Sequence, residues 1–277
     1  MRAYLFYIML QNTTKKQLFY RSIKQRVGIV SALLLCLVWG LSCSHTPPPE
    51  KARLPDELYE NLLISFSARD YNRVKEGLQK IDDAGIEDKR VLYLKAMLAL
   101  IERDQEGAVL ELKAALAIDP EYGEAHNTLG SIYMQQKRLS AAETEFIEAA
   151  DNPLYPTPEK AYHNLGNLYQ LQGKNEQALN CYLKALAIKE DYFPSHYELS
   201  RLYLEMDKLD FAAQEIEKAR QISNDHPGVW LEIGKIEKAR QKRELAIEAF
   251  KQVIKLQPRG SFADQAQSEL QLLNESR

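Results

Sequence analysis

The sequence predicts an all-α solenoid built from repeated pairs of antiparallel helices. Three observations predict it. A block of small and apolar residues recurs: Leu129-Gly130-x-x-Tyr133, followed by Ala142, Phe146 and Ala149, is matched by Leu165-Gly166-x-x-Tyr169, followed by Ala178, Tyr182 and Ala185. The small residues Ala96, Gly130, Gly166, Ser200 and Gly234 then follow one another at spacings of 34, 36, 34 and 34. Finally, 45% of the 277 residues are hydrophobic and 27% charged, with only 12 Gly and 11 Pro, which suits a mostly helical chain and argues against a β sandwich.

Each part of the recurring block has a physical task. The small residue lets the first helix of a unit approach the second closely, and the Ala of the second helix does the same from the other side. The large residues (Tyr133 and Phe146; Tyr169 and Tyr182) fill what remains. A helix pair of this size cannot bury its apolar face alone, so stacking is required. The pattern resembles the tetratricopeptide repeat. That resemblance implies a right-handed superhelical solenoid of about six tetratricopeptide repeats plus a C-terminal capping helix, with a concave face lined mostly by first helices.

From the N-terminus, residues 1–42 hold six basic side chains (Arg2, Lys15, Lys16, Arg21, Lys24, Arg26) and no acid. They end in an apolar run, Val27 to Leu41, about 15 residues long and short of the ~20 a membrane-spanning helix needs. The layout is that of a signal peptide, with Met1 and Met9 both standing as candidate starts. Leu41-Ser42-Cys43 resembles a bacterial lipobox, with Gly40 where a Leu is usual. This implies cleavage before Cys43, diacylation of its thiol and acylation of its new amino group by chains of the palmitate class. Three chains anchor firmly where one is marginal. Ser44 after the cysteine favours the outer membrane, facing the periplasm; an inner-membrane anchor is the alternative. Residues 43–54 form a lipidated, Pro-rich linker, extended by Pro47-Pro48-Pro49.

The repeat domain occupies 55–274, in units 55–88, 89–122, 123–158, 159–192, 193–226 and 227–260. The first is atypical, with Leu62 at the small position, and reads as an N-terminal cap. Pro120 stops a helix after Ile118-Asp119. The third unit carries two extra residues in its connection. Ser261 to Leu273 forms the capping helix, with Phe262, Ala266, Leu270 and Leu273 on one face and Ser261 as a candidate N-cap.

Chemistry is sparse. Residues after 42 hold 30 basic and 39 acidic side chains, a net of −9, which makes a poor general binder of nucleic acid. No His-Glu-x-x-His, Gly-rich phosphate loop or Cys-x-x-Cys occurs. His126, His163 and His196 fall at adjacent first-helix positions and read as packing or groove residues of their own repeats. Cys181, the sole cysteine after Cys43, reads as a packed thiol. No catalytic residue, cofactor, metal or small-molecule substrate is expected. What remains is recognition of a protein partner by the groove. Repeat positions five and nine are Asn127 and Ser131, His163 and Asn167, Tyr197 and Arg201, and Leu231 and Lys235. Amides suit a peptide backbone, and Arg201 or Lys235 suits a partner carboxylate. The set lacks the Lys/Asn clamp of chaperone-binding repeat domains.

The inter-repeat connection Asn152-Pro153-Leu154-Tyr155-Pro156 is the most distinctive string. Leu154 and Tyr155 either tuck over the repeat junction or stand out as a contact. The longer string, Asn-Pro-Leu-Tyr-x-Thr-Pro-x-Lys-Ala leading into Asn164-Leu165-Gly166, resembles the PilF/PilW family of type IV pilus biogenesis lipoproteins. The order of parts (lipoprotein signal, short linker, six repeats) is similar too. The resemblance implies a pilotin, a partner of the secretin subunit that helps this ring channel reach the outer membrane and assemble there. A general envelope adaptor, docking other periplasmic proteins such as peptidoglycan hydrolases, fits the same parts.

Overall fold

Residues 54–275 are described by the computed structural model; the signal, Cys43 and most of the linker lie outside them. The described residues form thirteen α-helices and no strand. In order they are α1 (Asp56–Ser67), α2 (Tyr71–Asp83), α3 (Lys89–Ile101), α4 (Gln105–Ile118), α5 (Gly123–Gln135), α6 (Leu139–Ala150) and α7 (Pro158–Leu171). There follow α8 (Asn175–Ile188), α9 (Phe193–Glu205), α10 (Leu209–Ile222), α11 (Pro227–Ala239), α12 (Arg243–Leu256) and α13 (Ser261–Glu275). None is long and apolar enough to cross a membrane.

Successive helices pack as antiparallel pairs, α1 with α2 through α11 with α12, and α13 closes on α11 and α12. First helices also touch the next first helix (α5 to α7, α7 to α9, α9 to α11), which makes them the inner wall of a superhelix. The chain folds as an all-α tetratricopeptide solenoid.

Side-chain size within each pair is matched across the helix contact. A Cβ built on Gly130 would lie 2.7 Å from Phe146 Cδ1, one on Gly166 2.5 Å from Tyr182 Cε1, and one on Gly234 2.3 Å from Phe250 Cε1. Ala96 and Ser200 hold the equivalent place, and there the second helix offers buried Leu112 and Ile216 instead of an aromatic ring. The first pair inverts the arrangement: Leu62 is the large partner, and Gly77 on α2 makes room for it, with 2.3 Å from a Cβ there to Leu62 Cδ2. Interiors are close-packed, so each exchange of bulk on one helix is met by the other.

The tight turn inside every pair is the same. Arg69, Arg103, Lys137, Gly173, Asp207 and Gln241 all take positive φ, between 57° and 71°. The next residue's N–H donates to the carbonyl five residues back in each case, for example Arg138 to Tyr133 at 2.8 Å and Lys242 to Glu237 at 2.8 Å. This is the Schellman closure, in which a left-handed residue satisfies the last carbonyls of a helix. Only one of the six is glycine, so five side chains sit in a conformation that costs about 1 kcal/mol.

The following helix starts differently along the array. Asp70 and Asp104 cap α2 and α4 by accepting from Arg73 N and Gly107 N. Arg138, Lys174, Lys208 and Lys242 stand at the same place before α6, α8, α10 and α12 and make no side-chain cap. Two of these cations reach back over a ring of the preceding helix: Arg138 lies 4.2 Å from the Tyr133 ring centre and Lys174 5.4 Å from that of Tyr169. A cation over an aromatic face is worth about 0.5–1 kcal/mol at an exposed site. Ser261 is not an N-cap; it is the first residue of α13, its hydroxyl accepts from Gln265, and the Gly260 carbonyl receives Asp264 N–H.

Candidate functional site

The inner wall is the candidate site, and its character changes along the array. At the N-terminal end repeat positions five and nine are Tyr59, Leu63, Tyr93 and Met97, all half-buried. Tyr93 Oη lies 3.3 Å from Thr128 Oγ1 of the next repeat. The centre is a run of amides. Asn164 Nδ2 donates to Asn127 Oδ1 at 2.9 Å across the repeat boundary, Ser131 Oγ donates to the Asn127 carbonyl, and Tyr182 Oη donates to Asn167 Oδ1 at 2.7 Å.

His163 belongs to this run but is 9% exposed. The Asn167 amide group faces its Nε2 at 3.1 Å, and its Nδ1 faces Ser195 Oγ at 3.2 Å. Because Asn167 Oδ1 is taken by Tyr182, the NH₂ points at the ring, so Nε2 accepts and Nδ1–H donates. Burial pushes this imidazole down to about 4, which keeps it neutral in that tautomer. The expectation that His163 lines the groove is therefore corrected: Tyr192, at the end of its own repeat, and Ser195 of the next close over it. Leu231, 3% exposed, is likewise a core residue.

The C-terminal end is acidic. Arg201 donates to Glu198 at 2.8 Å, and Lys235 lies 3.7 Å from Glu232, which is 3% exposed. The two cations expected to receive a partner's carboxylate thus face carboxylates of their own chain. Burial holds the carboxyls of Glu198 and Glu232 above the usual range, against the pull of Arg201 and Lys235. Gln170 Nε2 donates to Glu205 across the boundary at 3.2 Å. Tyr197 stacks on Phe193 with ring centres 5.9 Å apart, and both rings contact His226.

Sequence reasoning missed the carboxylates and the N-terminal aromatics. Glu198 and Glu232 fill repeat position six, as Thr128 and Asn164 do, and that run of polar residues beside positions five and nine was the available signal. Tyr59 and Tyr93 were missed because the first repeats departed most from the pattern.

His126 and His196 form a second motif, outside the groove. In each, Nδ1 faces a second-helix carboxylate (Glu145 at 2.7 Å, Glu215 at 2.6 Å) and Nε2 faces a carbonyl of the preceding turn (Pro120 and Glu190, both 2.8 Å). With an acceptor at both nitrogens, the imidazolium satisfies the geometry. Burial works against the charge on His126, but Glu145 and the Pro120 carbonyl outweigh it and raise its pKa. These clamps tie the inter-repeat turn to the helix pair. No group of three or more His, Cys, Asp or Glu among the described residues is placed to hold a metal. Cys181 is buried, and burial pushes its thiol up to about 11, which makes it unreactive.

In the connection, the two alternatives for the apolar pair divide. Tyr155 tucks in at 5% exposure against Gly123, and Leu154 stands out at 77%. Asn152 fixes the loop from both ends: its Nδ2 donates to the Glu121 carbonyl, and its Oδ1 accepts from Leu154 N at 2.8 Å.

Tetratricopeptide repeat models match residues 99–152, 159–192 and 227–259. Tetratricopeptide repeat protein 7A of Homo sapiens is 30% identical over 99 residues, 36% of this chain and 11% of that protein. The type IV pilus assembly protein PilF of Pseudomonas aeruginosa is 26% identical over 178 residues, 50% of this chain and 66% of that protein. The chain thus spans less than two thirds of either relative. In structure, PilF of Pseudomonas aeruginosa matches with a TM-score of 0.70 at 21% identity, over 77% of this chain and 96% of that one. PilW, a widely conserved type IV pilus biogenesis factor, matches with a TM-score of 0.69 at 21% identity, over 78% and 97%.

Proposed function

We propose, from the premise that this chain is a PilF/PilW-like tetratricopeptide repeat protein, that it is a non-enzymatic protein-interaction scaffold of type IV pilus biogenesis. Its finer role in this reading is that of a pilotin. Anchored by lipid at Cys43 in the outer membrane and facing the periplasm, it holds a segment of a secretin subunit and brings that subunit to its site of assembly. The observation that carries the reading is the likeness in architecture to PilF and PilW over nearly the whole of those chains.

The groove supports it. An extended segment laid along the inner wall meets aromatic and aliphatic surface at Tyr59, Leu63, Tyr93 and Met97, then the amides of Asn127, Asn164 and Asn167, then the Arg201–Glu198 pair and Lys235. Apolar residues followed by polar ones complement that order.

The test is made in the chain's own host, with wild type, a deletion and Cys43→Ala side by side. Secretin multimers resistant to detergent are followed through inner- and outer-membrane fractions. The reading expects multimers to be lost from the outer membrane in the deletion, and the Cys43→Ala protein to leave the membrane fraction. Normal multimers in the deletion strain would sink the pilotin role.

A further inference from the structure

A cleft lies outside the groove. The inter-repeat connection, the turn after α4 and the end of α6 line a cleft of about 330 Å³ between Pro120, Glu121, Ile147, Glu148, Asp151 and Leu154. It shares none of the groove residues. A second cleft of about 250 Å³ continues from it through Ile147 and Asp151, under Tyr162.

The walls are of two kinds. Leu154 at 77% and Ile147 at 38% are large aliphatic side chains held in water. Leu154 is not loose: its own N–H is fixed by Asn152, and Asn152 is fixed to the preceding turn. The neighbouring Tyr155 is buried, so the loop presents Leu154 from a rigid base. Around these side chains stand Glu121, Glu148 and Asp151, none of which has an ion pair among the described residues; Asp151 accepts only from the Tyr162 hydroxyl. The imidazole at the floor, His126, is already held by Glu145 and the Pro120 carbonyl. Lys184 borders the second cleft and lies over the Tyr162 ring at 5.0 Å.

We propose that this cleft docks a partner segment that presents an aliphatic side chain flanked by lysine or arginine. The occupant follows from charge complementarity: an aliphatic side chain covers Ile147 and Leu154, and the flanking cations meet three carboxylates that have no ion pair among the described residues. The proposal goes beyond the groove reading and stands without it. A chain with two recognition surfaces can hold one partner in the groove while a second sits at the connection.

The probe is a fluorescein-labelled peptide with a Lys-Leu-Leu-Lys core between Gly-Ser flanks, titrated with the full chain by anisotropy. Two control peptides replace both lysines by glutamate or both leucines by serine. The expected result is binding of the first peptide at least about tenfold tighter than either control, in keeping with burial of one aliphatic side chain. Leu154→Ser and the pair Glu121→Gln with Glu148→Gln should each weaken it by about tenfold, and added salt should weaken it further. Leu154 is exposed, so its loss leaves folding intact, which circular dichroism checks. Equal affinity of the three peptides, or unchanged affinity in the variants, overturns the proposal. A dimer in sedimentation that Leu154→Ser dissolves overturns it too, by assigning the surface to a second copy of the chain.

Discussion

Replacing Gly234 by alanine tests whether bulk is traded across each helix pair. The added Cβ would stand 2.3 Å from Phe250 Cε1 and 2.6 Å from Cδ1, so the ring must retreat by about 1 Å to reach ordinary contact. Overpacking of this kind costs about 1–3 kcal/mol. Alanine in a helix interior recovers about 1 kcal/mol relative to glycine. The net effect of the single change is therefore small, about 0–2 kcal/mol destabilising. The informative measurement is the coupling with Phe250→Ile. That change alone empties space beside Gly234 and costs about 2 kcal/mol or more. Combined, the two recreate what the fifth repeat already has, Ser200 facing Ile216. The double variant should be more stable than the sum of the singles by about 1–2 kcal/mol. Urea unfolding of the full chain reads this as a midpoint shift on the order of 1 M, from a slope of about 1–3 kcal/mol per M. Additivity within about 0.5 kcal/mol would refute the size-exchange argument.

Further outcomes follow from other positions. Gln241→Gly, at one of the left-handed turn residues, should stabilise by about 0.5–1 kcal/mol, and Gly173→Ala should destabilise by about as much or more, both read as urea midpoints. Tyr155→Ala should cost about 3–5 kcal/mol and Leu154→Ala less than about 0.5 in the same assay, because one side chain is buried and its neighbour is not. His163 and His126 should titrate in opposite senses by NMR. His163 has its pKa depressed to about 4, so its contribution is present above about 6.5 and lost as pH falls from there towards 4. His163→Gln should flatten that loss, and an unchanged pH profile would count against it. His126 has its pKa raised, so its contribution is full below the unfolded value and lost as pH rises through the folded one; Glu145→Gln should bring its midpoint down.

The solenoid was legible in the sequence because its rule is local and periodic. A small residue in the first helix and a ring or aliphatic residue in the second recur with a fixed spacing, and Gly130 with Phe146 states the contact outright. The site was less legible. His163 and Asn127 hold equivalent positions relative to Gly166 and Gly130, but only His163 is closed over, by Tyr192 at the end of its repeat and Ser195 of the next. That depends on which side chains the next repeat supplies, and periodicity carries no record of it. Arg201 and Lys235 read as free cations because their partners, Glu198 and Glu232, sit three residues earlier, on the same face, at a position that repeat logic does not assign to the groove. The left-handed turns were hidden for a different reason: Arg69, Arg103, Lys137, Asp207 and Gln241 carry no glycine signal.

Every junction between neighbouring repeats is crossed by a polar side-chain bridge as well as by apolar packing. Arg90 meets Asp56, Tyr93 meets Thr128, Asn164 meets Asn127, His163 meets Ser195, Arg240 meets Asp210, and Lys238 meets Glu269. The hydrophobic effect has no direction of its own, whereas a hydrogen bond fixes a distance and an angle, so the bridges help to set the register of each repeat on the next. A bridge lost at one junction therefore loosens the register there and leaves the bridges at the other five in place.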